Sequence, residues 1–88
     1  MRALILLALA IAAPATARDE KAAAACANKL APEGKAIYAA VAPEVKPDTN
    51  LAELVRAKAI PMVMFGTLTR ETAQANGRPA GECAALLK

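Results

Sequence analysis

The sequence DEKAAAACANKL, residues 19–30, contains the features that decide the fold. Its run of four alanines favours a helix, with acidic residues at the start and Lys29 near the end, as the dipole of a helix prefers. It also carries Cys26, one of two cysteines in the chain, while the other, Cys83, lies near the C-terminal end. We therefore expect an N-terminal helix that a disulfide can join to the last one.

The preceding residues, 1–17, have the pattern of a secretory leader. MRALILLALAIAAPATA has an early Arg2, an apolar run over residues 3–13 and a small-x-small ending. The apolar run is about 11 residues long, against the roughly 20 that a spanning helix needs, and the charged RDEK follows it. We predict cleavage after Ala17, a periplasmic or secreted location and no stable membrane insertion after cleavage. An uncleaved signal anchor is the alternative.

Export predicts the chemistry of the two cysteines. In an oxidising compartment Cys26 and Cys83 are expected to pair, whether within one chain or between two. A redox role would require a Cys-x-x-Cys motif or an activated thiolate, and a zinc site would require further ligands. A structural bond between these positions would contribute about 4 kcal/mol to a small domain.

The remaining 88 − 17 = 71 residues, 18–88, are few enough to form a single domain. Proline and glycine divide this part of the chain into short helical segments. Helices are expected over 19–30 and 31–42, then from a cap at Asn50 to Pro61, which should end or kink that helix. Residues 43–47, between two prolines, are expected to be extended. The fold class predicted is all-α, a small bundle of four to five short helices with the first and last joined by one disulfide.

Helical signals continue after Pro61. Gly66 is a plausible stop, and Thr67 or Thr69 can cap the next helix. The sequence Asn-Gly-Arg-Pro at 76–79 predicts a break, with a final helix over 79–88.

Composition argues against catalysis. The chain has no histidine, serine or tryptophan, which excludes Ser-His and Cys-His pairs and histidine metal sites. Carboxylate pairs remain, Glu33 with Glu44 or Glu71 with Glu82, but solvated helix faces explain them better. We predict no enzymatic activity and no catalytic, cofactor-binding or metal-ligating residue.

One apolar run has two open interpretations. Met62, Val63, Met64 and Phe65 form the densest apolar stretch after residue 17. They are either core, filled by pliable methionine side chains and a phenylalanine, or an exposed surface that binds another protein or a second copy of the chain. In the second case the four residues are the candidate protein-binding surface.

Charge gives no sign of a nucleic-acid partner. After residue 17 the ten basic and eight acidic side chains are scattered singly, a net charge of 10 − 8 = +2. The only aromatic residues, Tyr38 and Phe65, stand outside any basic cluster, whereas nucleic-acid binders combine the two. We expect no nucleic-acid binding.

The overall plan, a leader, a short helical body and two cysteines joining its first and last helices, resembles in outline the HdeA-type periplasmic acid-stress chaperones. This chain departs from them in being basic and lacking tryptophan. Residues 26–41, with LAPEGKAIY at 30–38, resemble small uncharacterised exported proteins of Gram-negative bacteria. Both resemblances imply an exported helical protein, and neither supplies an activity or a site residue.

These observations favour a non-enzymatic exported protein that binds other periplasmic proteins or itself, or protects them under stress. An accessory or structural subunit of an envelope complex is the alternative, and a small-molecule binder is a third possibility, for which so small a core leaves little room.

Overall fold

A computed structural model describes residues 18–88. These residues form four α-helices and two single 3₁₀ turns, without a strand among them: α1 (Glu20–Asn28), α2 (Pro32–Val41) with a 3₁₀ turn (Ala42–Glu44), α3 (Leu51–Met64), and α4 (Arg70–Ala84) with a final 3₁₀ turn (Ala85–Leu87). The all-α class and a bundle of four helices are therefore confirmed. The predicted leader, residues 1–17, lies outside the described residues.

Three helices begin at side-chain caps. Asp19 accepts a hydrogen bond from the Ala22 amide at the start of α1, and Asn50 accepts one from the Glu53 amide at the start of α3. At α4, Thr69 accepts from the Thr72 amide at 3.1 Å while the Thr72 hydroxyl accepts from the Thr69 amide at 3.0 Å. Each bond satisfies an amide that has no partner inside its own helix. The predicted caps at Asn50 and Thr69 are confirmed.

The predicted break at 76–79 is wrong, because α4 runs without interruption from Arg70 to Ala84. Gly77 is buried there, and a Cβ at its position would lie 3.3 Å from Val55 Cγ1. The glycine thus serves the close approach of two helices rather than a helix end. Asn76 also fits the helix, since its side-chain amide donates to the Thr72 carbonyl at 2.7 Å. Packing outweighs the local preference of these residues for a turn.

Pro61 does not end α3 either. The helix continues to Met64 and stops at Gly66, whose φ of 81° lies in the left-handed region that glycine adopts readily. Proline deprives the Ala57 carbonyl of its helical donor, and Ala57 is exposed, so water can satisfy that carbonyl. The segment 43–47 also differs from the prediction: the 3₁₀ turn takes in residues up to Glu44, and extended backbone begins at Val45.

The core lies where α1, α2 and α4 meet. Ile37 and Val41 of α2 are fully buried, and they pack with small residues of the neighbouring helices, among them Ala23, Ala80 and Ala84. Small side chains let the helix backbones come close together, as the glycine at 34 also does: a Cβ there would lie 3.4 Å from the side-chain oxygen of Asn76 on α4. The core is therefore narrow and built around a few branched side chains.

The two ends of the described chain are held together. Cys26 of α1 is bonded to Cys83 of α4 within one chain, with the two Cα atoms 5.4 Å apart, so the predicted disulfide between the first and last helices is confirmed. The Asp19 amide also donates to the Leu86 carbonyl at 2.8 Å. Among residues 18–88, none of the helices has both the length and the apolar character needed to cross a bilayer.

Candidate functional site

A groove of about 790 Å³ lies between α3 and α4, and we call it the α3/α4 groove. Its inner lining consists of two rows of residues spaced four apart. The α3 row is large or branched at most positions, and the α4 row is entirely small. The members are Leu51, Val55, Ala59 and Val63 on α3, and Ala73, Gly77, Gly81 and Ala85 on α4 and its final turn.

Spacing by four places each row along one ridge of its helix. Where the two ridges face each other, Val55 is the closest point: a Cβ at Gly77 or Gly81 would lie 3.3 Å or 3.5 Å from its methyl groups. The glycines therefore form the floor and Val55 stands over it. Since most of the inner residues are only half-buried, apolar surface remains open to solvent along the groove.

The edges of the groove are two further rows of residues that are all exposed. Arg56, Ile60 and Met64 follow the α3 edge after Ala52, and the α4 edge is polar. Its members, again spaced by four, are Arg70, Gln74, Arg78 and Glu82. Three guanidinium groups and one carboxylate thus border an apolar floor.

These arginines have no ion-pair partner among residues 18–88. The two ion pairs found in that part of the chain lie elsewhere, Arg18 with Glu20 and Lys58 with Glu44. Glu44, which the sequence offered as a carboxylate partner of Glu33, thus pairs with Lys58. Within the described residues no three His, Cys, Asp or Glu side chains are grouped to hold a metal ion.

The run 62–65 is divided between core and surface. Met62 and Val63 are half-buried and pack against the core, and Val63 also lines the groove. Met64 is 77% exposed and Phe65 85% exposed, so the run consists of two half-buried residues followed by two exposed ones. Ile60, one turn before Met64, is 48% exposed. Ile60, Met64 and Phe65 form an apolar cluster at the C-terminal end of α3, and we call it the exposed apolar cluster.

Sequence reasoning missed the α4 side of the groove. The signal was present, because small residues recur every fourth position at 73, 77, 81 and 85. The break predicted at 76–79 instead divides these positions between two helices. A second depression of about 310 Å³ includes Arg18, Tyr38 and Leu87 in its lining and is less than half the size of the groove.

Comparison of the chain with protein-family models, with curated proteins and with solved structures finds no match.

Proposed function

We propose that this protein is an exported, non-enzymatic binding domain that holds apolar segments of other proteins in the α3/α4 groove. The observation that carries the proposal is the continuity of the groove with the exposed apolar cluster. A lone exposed apolar side chain is ordinary on a protein surface, whereas a contiguous apolar patch bordered by charge is typical of an interaction site. Met64 belongs to both, and it is among the most exposed large apolar side chains described.

The chemistry of methionine suits this role. Its unbranched thioether side chain adapts to partners of different shape, and exposed methionine is common on surfaces that bind several proteins. Met64 and Phe65 both stand at the last turn of α3, where they can follow an incoming segment without disturbing the core. Protection of unfolded proteins under stress is one use of such a surface.

Binding is tested with a photoreactive amino acid placed at Met64 in cells that express the full chain. We expect crosslinks to other exported proteins, and few from the matched position Ala24, which is exposed on α1 away from the groove. Equal crosslinking from both positions, or none from Met64, would contradict the proposal.

Export is tested separately by the intact mass of the protein recovered from the periplasm. We expect the mass of a single chain of residues 18–88, both with and without reductant. A protein that stays in the cytosol and keeps residues 1–17 would refute the location, and the assignment of the groove would then have to be tested against cytosolic partners.

A further inference from the structure

We infer that the occupant of the α3/α4 groove is an amphipathic helix from another protein, about 14 residues long, with acidic side chains along its borders. This inference rests on the proposed function and names the partner class of the same site.

The length and form of the groove suit a helix. Its walls are two helices of 14 and 15 residues, which extend over about 21 Å at 1.5 Å per residue. An amphipathic helix that lies between two such ridges uses apolar side chains at spacings of three and four, in the mode by which grooves bind helices in general.

Arginine is concentrated on this groove. After residue 17 the chain has four arginines and six lysines. Three of the four arginines, at 56, 70 and 78, line the groove, and none of the lysines does. Arginine is the cation suited to interfaces with carboxylates, because its planar group binds them through two hydrogen bonds and loses its hydration more readily than lysine. The edge is therefore complementary to an anionic partner rather than merely solvated.

The order of charges on α4 specifies the occupant further. Reading along the edge, Arg70, Gln74, Arg78 and Glu82 present cation, neutral group, cation and anion at intervals of about 6 Å. The facing border of the occupant is expected to present acid, neutral group, acid and base in the same order. Arg56 on the opposite edge favours a further carboxylate on the other border.

Three other occupants fail on charge. A second copy that docked through the same groove would bring its own arginines at 56, 70 and 78 against these three, which is unfavourable. Residues 1–17 contain Arg2 and no Asp or Glu, so they offer the arginines no carboxylate. A single-chain fatty acid has one carboxylate, whereas Arg70 and Arg78 are separated by about 12 Å along α4.

Synthetic peptides of 14 residues test the inference by fluorescence anisotropy against the oxidised protein purified from cells that express the full chain. The acidic peptide has apolar side chains on one face and glutamates at its borders. A second peptide has lysine in place of each glutamate, and a third has the composition of the first in scrambled order. We expect the acidic peptide to bind at least about tenfold more tightly than either, and more weakly as salt is raised.

Charge reversal assigns the binding to the groove edge. Arg70→Glu with Arg78→Glu should weaken binding of the acidic peptide about tenfold or more and should allow the lysine peptide to bind. The matched control, Lys21→Glu with Lys35→Glu, makes the same change in net charge at exposed positions outside the groove, and it should shift binding by less than about twofold. A helical circular-dichroism spectrum equal to that of the unchanged protein shows that the reversed protein is folded.

Some outcomes would overturn the inference. One is equal binding of the acidic and scrambled peptides, and another is an equal loss of binding in the two charge-reversed proteins. A third is that the protein binds anionic vesicles in preference to the acidic peptide. Crosslinking from Met64 that persists unchanged in the reversed protein would also overturn the acidic partner and leave the proposed binding function in place. Absence of crosslinks from Met64 contradicts the binding function itself.

Discussion

Helix α4 has two sides that are packed very differently, although both are built from small residues. Toward α1 and α2, Ala80, Cys83 and Ala84 are buried because α2 supplies Ile37 and Val41 to fill the space. Toward α3, the equally small Gly77 and Gly81 face mainly Val55, and a groove of about 790 Å³ remains. Small residues on one helix therefore produce either a close-packed core or an open site, depending on the volume that the opposite helix supplies.

The largest expected effect on stability comes from removing the disulfide on the closed side of α4, the side that faces α1 and α2. Replacement of both Cys26 and Cys83 by alanine should lower the free energy of unfolding by about 4 kcal/mol, because the bond closes a long loop and restricts the unfolded chain. Urea denaturation of the oxidised protein and the double variant measures the difference. A loss below about 1 kcal/mol would mean that packing alone holds α1 on α4.

Substitutions of two isoleucines allow a direct comparison of the closed side with the open side, which faces the groove. Ile37→Ala removes a side chain with no exposed surface and should cost about 3 kcal/mol in unfolding free energy. Ile60→Ala, on the edge of the groove, should cost less than about 0.5 kcal/mol. Similar losses at both positions, measured by urea denaturation, would show that the groove is filled in solution and would remove the contrast.

The N-terminal cap of α4 stabilises the helix to which both sides belong. Thr69→Ala removes the acceptor for the Thr72 amide and should destabilise the domain by about 1 kcal/mol. For a domain of this size that corresponds to a fall of roughly 4–8 °C in the melting temperature. Thr67→Ala is the control, since Thr67 is exposed and its hydroxyl makes no hydrogen bond to another described residue. A melting temperature that falls equally in both variants would contradict the assigned cap.

The smallest effects should differ in sign between two glycines. Gly81→Ala on the open side should raise the unfolding free energy by about 0.5 kcal/mol, because alanine favours helix and the new Cβ would meet Val55 Cγ2 at an ordinary 3.5 Å. Gly34→Ala on the closed side should lower it by about 1 kcal/mol, because the Cβ would lie 3.2 Å from Leu30 Cβ and 3.4 Å from the Asn76 oxygen. Thermal unfolding of both variants measures the pair, and a gain at Gly34 would contradict the close packing there.

Local signals in the sequence predicted the parts of the fold that depend on neighbouring residues. The caps at Asn50 and Thr69, the stop at Gly66 and the pairing of Cys26 with Cys83 all follow from residue type and position. The continuity of α4 through Gly77 and Pro79 was not predicted, because the close approach of Val55 is a property of two helices and not of the local sequence.

The groove itself was not predicted from the sequence. The run 62–65 drew attention to Val63 and Met64 through its density of apolar residues, and both line the groove. Arg70 and Arg78 gave no such signal, since each stands alone in the sequence and they share an edge only because α4 is unbroken. The site can therefore be recognised only from the structure, in which α3 packs beside α4.

The hydrogen bond from Asp19 to Leu86, together with the disulfide, has a consequence for the order of assembly. The first helix of the described chain packs mainly on the last helix and the final turn, with a lesser contact to α2. Contacts so distant in sequence carry the entropic cost of closing a long loop, which slows their formation. A chain that emerges N-terminus first therefore presents α1 long before its principal partner exists, and this helix takes its native place only when the last residues have arrived.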